Sequence, residues 1–105
     1  MNLSEYSSFD GVGLAQLVRD NEVSPIELAK IAVSGVELLN PALNAIVDVY
    51  SDRISAIDPE AGLDGEFAGV PLLLKDIGAV EKGRPQCSGS CLGEAYIADL
   101  DSYLT

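Results

Sequence analysis

The chain has 105 residues, 48% of them apolar, with six basic residues against seventeen acidic ones and a formal charge of -11. That length suits one domain and is too short for two, and the apolar share is enough for a core. The charge leaves no basic patch to neutralise phosphates or to meet an anionic membrane surface, so nucleic-acid and membrane partners are excluded.

Gly11 to Asp20 reads as a short helix, because Leu14, Leu17 and Val18 fall at i, i+3 and i+4. "NEVSP" breaks it, and Ser24-Pro25-Ile26-Glu27 starts a second helix with Ser at N-cap, Pro at N1 and Glu at N3. Leu28, Ile31, Ala32, Val36 and Leu39 form its apolar stripe, and Asn40-Pro41 is expected to end it, since proline disfavours the helical conformation at the residue before it. The two helices are expected to form a hairpin. Asn44 to Asp52 then reads as a strand, with Ala45-Ile46-Val47 and Val49-Tyr50 supplying its β-prone residues, and Asp52 to Ile57 as a short helix. Asp58 to Gly69, punctuated by Pro59, Gly62 and Gly65, reads as a surface connection.

Val70 to Leu74 is the strongest strand in the sequence. It is apolar at every position, which predicts cover on both faces, as in the middle of an α/β sheet. It ends in Lys75-Asp76. Lysine is among the side chains least often buried, so an amine delivered by such a strand is either a solvated strand end or a residue with a task. On pattern alone the solvated end is the commoner case. A Gly/Pro/Ser-rich loop, Gly83 to Ser90, follows, then a turn or short helix around Leu92 to Tyr96, then Asp99 to Thr105 as the start of a helix with Asp101 as its N-cap.

Two cysteines, Cys87 and Cys91, and no histidine give no metal-ligand set, and the two thiols are expected to be reduced. No apolar stretch approaches the roughly 18–20 residues that span a bilayer. The first residues, "MNLSEYSSFDG", lack the basic and apolar regions of a secretory signal, so a cytoplasmic address is expected and the match of Asn2-Leu3-Ser4 to a glycosylation site carries nothing. Gly83 to Ser90 is not a phosphate-binding loop, since its glycine spacing is wrong and no lysine follows Gly89. With only two convincing strands, the chain reads as the front piece of a larger α/β protein.

Four blocks, Ser24 to Leu28, Asn40 to Ala45, Gly69 to Asp76 ("GVPLLLKD") and Gly89-Ser90, resemble the N-terminal part of the amidase signature family of serine hydrolases. The "GVPLLLKD" block is the most specific, and the resemblance runs from about Gly11 to Thr105. It implies a mixed-sheet α/β/α fold of which residues 1–105 are a partial domain. Residues 11–40 would be its helical hairpin, and 41–105 the start of its α/β core. It implies hydrolysis of small-molecule amides by a Ser–cis-Ser–Lys triad without a cofactor, and places the catalytic lysine on Lys75. The two serines of the family lie in a later Gly/Ser-rich region, so the 105 residues alone are expected to be inactive. Ser88 and Ser90 do not match the nucleophile's motif.

The chemistry gives the lysine its reason. At its ordinary pKa of about 10.4 roughly one amine in 2,500 is neutral at pH 7. Burial lowers the value, and near about 7–8 a useful fraction could accept a serine proton. Asp76 would oppose this if it touched the amine. In an extended run neighbours point to opposite faces, so Asp76 is expected to support the loop instead. Two alternatives stand beside the amidase. One is a glutamine amidotransferase component that uses the same triad to release ammonia from glutamine, although "KGRPQCSGS" and "DSYLT" look more like a stand-alone amidase. The other is a non-enzymatic fragment or interaction module. A Gly-Gly-Ser-Ser-Gly-like segment in frame after Thr105 would favour the enzyme.

Overall fold

A computed structural model describes residues 1–58 and 64–103 of the chain. They fall into two units, one up to Pro71 and one from Leu72 onward.

The first unit is helical. α1 (Leu3–Tyr6) is a single turn closed by a reciprocal capping box. The Asn2 side chain accepts the Glu5 N–H at 2.9 Å, and the Glu5 carboxylate accepts the Asn2 N–H at 2.8 Å. The stretch that matches a glycosylation site is thus a helix start. α2 (Gly11–Arg19) is capped by Asp10, whose carboxylate accepts the Gly13 N–H at 2.8 Å. It ends in a Schellman motif: Asn21 takes the left-handed conformation at φ 57°, Glu22 N–H donates to Leu17 O and Asn21 N–H to Val18 O. Arg19 donates to Glu66 O at 3.1 Å, tying the helix end to the turn at 65–68.

α3 (Pro25–Leu43) begins as expected, with Ser24 Oγ accepting the Glu27 N–H at 3.2 Å and Pro25 at N1. The Glu27 carboxylate does not close a capping box, because it is paired with the amino group of Met1 at 2.9 Å. The expected stop at Asn40 is corrected: α3 runs through Pro41 to Leu43 and ends on Asn44 in the left-handed conformation. The proline stands in the last turn, where it forfeits the bond its N–H would have made to the carbonyl four residues earlier, and past the helix end the Asn40 side chain binds the backbone. Its Oδ1 accepts the N–H groups of Ala45 and Ile46, each at 2.8 Å, and its Nδ2 donates to Ile46 O at 2.8 Å. The expected strand over Asn44 to Asp52 does not form, and the backbone groups at its start are bound to the Asn40 side chain instead. α4 (Ser51–Ser55) follows, shorter than the helix expected over Asp52 to Ile57 and one residue earlier.

The core of this unit is Leu14 and Val18 from α2, Val23 from the connection and Leu28 from the first turn of α3, with Tyr6, Leu17 and Val70 packed against it. Leu28 is fully buried, whereas Leu39, at the far end of the expected stripe, is half exposed. α2 and α3 therefore meet where the chain turns between them, and α1 and α4 lie against α3. Pro59 and Gly62 of the expected surface connection lie outside the described residues.

The second unit is built from turns. A type II turn over Glu81 to Arg84, with Gly83 at φ 75°, is closed by Arg84 N–H to Glu81 O at 3.1 Å. It leads into β1 (Pro85–Gln86), paired antiparallel with β2 (Tyr96–Ile97) in the register Pro85 to Ile97 and Gln86 to Tyr96. The Asp101 carboxylate accepts the Lys82 N–H at 2.7 Å, and Ser102 N–H donates to Val80 O at 2.9 Å. Asp101 is thus a clamp on the turn rather than a helix cap: Asp99 to Tyr103 forms no helix. Leu104 and Thr105, the rest of that expected helix, lie outside the described residues.

Val70 to Leu74 is not a strand, and no strand among the described residues pairs with it. Leu72 and Leu73 are 72% and 71% exposed, so the described residues do not supply the expected two-sided cover. β propensity favours an extended backbone; a ladder also needs a neighbour whose N–H and C=O groups are free. Helix and two-stranded sheet together make the chain mixed α/β. No helix of the described residues is long and apolar enough to cross a membrane.

Candidate functional site

The lysine arrives where a glycine lets the chain turn. Gly69 adopts φ 80°, and a Cβ built on it would lie 3.0 Å from both Pro25 Cγ and Val18 Cγ1. Only a residue without a side chain fits the conformation and the gap together. Val70 then joins the helical core, and Pro71 follows.

Lys75 stands at the end of the apolar run and is exposed. Among the described residues its side chain makes no hydrogen bond or ion pair. The water-poor surroundings expected for this amine are therefore not formed by the described residues.

Asp76 has a different environment. Its Oδ1 accepts the N–H of Cys87 at 2.8 Å and its Oδ2 the N–H of Gly89 at 2.9 Å. The N–H groups of Gly89 and Cys87, with a further contribution from that of Ser88, hold its carboxyl below the ordinary value of 3.8. The three amides are successive because the loop is a type I′ turn. Ser88 and Gly89 both have positive φ, 54° and 65°, and Ser90 N–H donates to Cys87 O at 3.0 Å. Ser90 Oγ accepts the N–H of Leu92 at 3.0 Å. Asp76 thus serves the loop, as its place after the lysine implied. The Ser88-Gly89 dipeptide is a turn signal that marks the turn, though not its clamp, in the sequence.

Ser88 and Ser90 are exposed, and the thiols of Cys87 and Cys91 are free and exposed. No three metal-ligating side chains gather among the described residues. Taken alone, the site is a solvated amine whose backbone is anchored one residue away to a rigid turn. It has a proton acceptor in kind, and no nucleophile placed against it among the described residues.

No family model matches the chain, and no solved structure matches it. Curated proteins do. The chain is 34% identical over 96 residues to the 6-aminohexanoate-cyclic-dimer hydrolase of Pseudomonas sp. (strain NK87), covering 90% of this chain and 19% of the relative. It is 35% identical over 99 residues to the putative amidase AmiC of Mycobacterium tuberculosis (strain ATCC 25618 / H37Rv), covering 91% of this chain and 20% of that protein. It is 34% identical over 81 residues to a glutamyl-tRNA(Gln) amidotransferase component of Rhizobium johnstonii, covering 71% and 16%. The chain spans about a fifth of the length of the first two relatives.

Proposed function

Because the chain belongs to the amidase family, we propose that it is the part of an amide-bond hydrolase that carries the catalytic lysine, Lys75. The observation that carries this reading is the similarity, over nine-tenths of the chain, to proteins named as amide hydrolases.

In this reading the neutral amine of Lys75 accepts a proton from a bridging serine, which takes one from a nucleophilic serine. Both serines come from outside these 105 residues. The nucleophile attacks the carbonyl of a small-molecule amide, and the bridge returns its proton to the leaving amine. Water then attacks the acyl-enzyme and releases the acid. Desolvation by the remainder of the polypeptide would favour the uncharged amine that the first step needs. The exposed apolar residues next to the lysine support such cover. Leu72 and Leu73, which shortly precede it in the chain, are 72% and 71% exposed.

The test is amide hydrolysis by the full polypeptide that carries this sequence. Lys75→Ala abolishes turnover while expression is kept, and Lys75→Arg does the same because a guanidinium keeps its proton. Wild-type-like turnover in either variant removes Lys75 from the mechanism. Residues 1–105 alone hydrolyse nothing, and Lys75-dependent hydrolysis by them overturns the division of the site. The shorter match to the amidotransferase component favours a second reading, in which the same lysine serves the release of ammonia from glutamine. Glutamine offered as the only amide separates the two.

A further inference from the structure

Lys75 has no side-chain partner among the described residues, so what fixes it is its backbone. That backbone is held through the next residue. Asp76 reaches eleven and thirteen positions along the chain to the N–H groups of Cys87 and Gly89, one carboxylate oxygen to each. A bidentate grip of this kind fixes distance and orientation together, and bonds to an ionised acceptor are the strong ones.

The turn it grips carries one non-glycine residue in the left-handed region. Ser88 holds φ 54°, a conformation that crowds an L-residue's Cβ. The carboxylate collects the amides that this conformation turns to one side. Loop and lysine root are therefore joined by two hydrogen bonds through one carboxylate, with Ser88 and Ser90 exposed on the loop.

We propose that Asp76 is a positioning residue for the reaction, locking the Cys87–Ser90 turn to the root of Lys75 so that the amine and the turn meet the amide substrate in a fixed relation. The inference rests on the reading of Lys75 as the catalytic amine. Asp76 itself takes no proton from the substrate or the serines. Misplacement of a catalytic group by about 1 Å can cost on the order of 100-fold in rate. A loss of that order is expected in kcat, with KM changed much less.

The experiment uses the full polypeptide with Asp76→Ala and Asp76→Asn. In Asp76→Ala, kcat falls about 100-fold, and formate, small enough to enter the vacated place, restores part of it while leaving the wild type unchanged. The amide proton resonances of Cys87 and Gly89 move upfield in the variant and return with formate. Asp76→Asn, which keeps the shape and one acceptor, lies between Asp76→Ala and the wild type. Wild-type kcat in either variant overturns the proposal. So does a formate-restored pair of amide signals without any return of kcat. Should Asp76→Ala not fold, the Asn variant decides. Wild-type turnover in Lys75→Ala beside a loss in the Asp76 variants removes the lysine's role and, with it, the positioning role. The reverse pattern removes the positioning role alone.

Discussion

Gly69 approaches Pro25 so closely that a Cβ on the glycine would lie 3.0 Å from the proline's Cγ, at a backbone φ of 80°. The first turn of α3 and the entry to the lysine-bearing run are thereby fitted to one another within the helical unit.

Gly69→Ala is accordingly expected to be costly for two reasons that add. The left-handed conformation costs an L-residue about 1–2 kcal/mol, and forcing a methyl into a filled space costs about 1–3 kcal/mol more. Gly89→Ala meets only the first term, since nothing lies within 4 Å of its would-be Cβ. Urea denaturation checks the difference: the Gly69 variant loses more stability than the Gly89 variant, and equal losses would refute the packing term.

Asn40 replaces a ladder with a single side chain. Asn40→Ala leaves the N–H groups of exposed Ala45 and part-buried Ile46 without their acceptor, at roughly 0.5–1.5 kcal/mol for each bond lost. The expected result is lower stability, with faster hydrogen exchange confined to those two amides. Unchanged exchange there would show that the side chain does not hold them.

Acid should release the loop clamp in a definite direction. The folded-state pKa of Asp76 lies below its ordinary value of 3.8, so the contribution of the clamp is full above that value. It is lost as pH falls through the lowered folded value. The amide resonances of Cys87 and Gly89 report it directly: they stay constant down from neutral pH and move only in the acid range. In Asp76→Asn the step is absent.

The helical half of the chain was legible because its signals are local. The N-cap at Ser24, the proline at N1 and the stripe through Leu14 and Val18 are set by residues a few positions apart, and the structure has them where they were expected. The left-handed end at Asn21 and the box at Asn2 and Glu5 are equally local and were readable as caps. What was not legible depends on distant partners. Val70 to Leu74 has the composition of a buried strand but no neighbour to pair with among the described residues. Asp101 has the chemistry of an N-cap, yet it serves a backbone amide nineteen residues earlier. At the site, Lys75 and the loop were both marked by the sequence. The bond between Asp76 and the loop was expected only in outline, because nothing in the spacing from Asp76 to Cys87 or Gly89 announces it.

The grip of Asp76 on Cys87 separates what the intervening segment must keep from what it can change. With both ends pinned, residues added at Gly78, where the space around the backbone is open, lengthen a closed loop without shifting the lysine. Doubling such a loop costs only about 0.6 kcal/mol in closure entropy. Divergence among descendants of this sequence can therefore accumulate as insertions there, whereas a single residue inserted between Lys75 and Asp76 would uncouple the amine from its anchor.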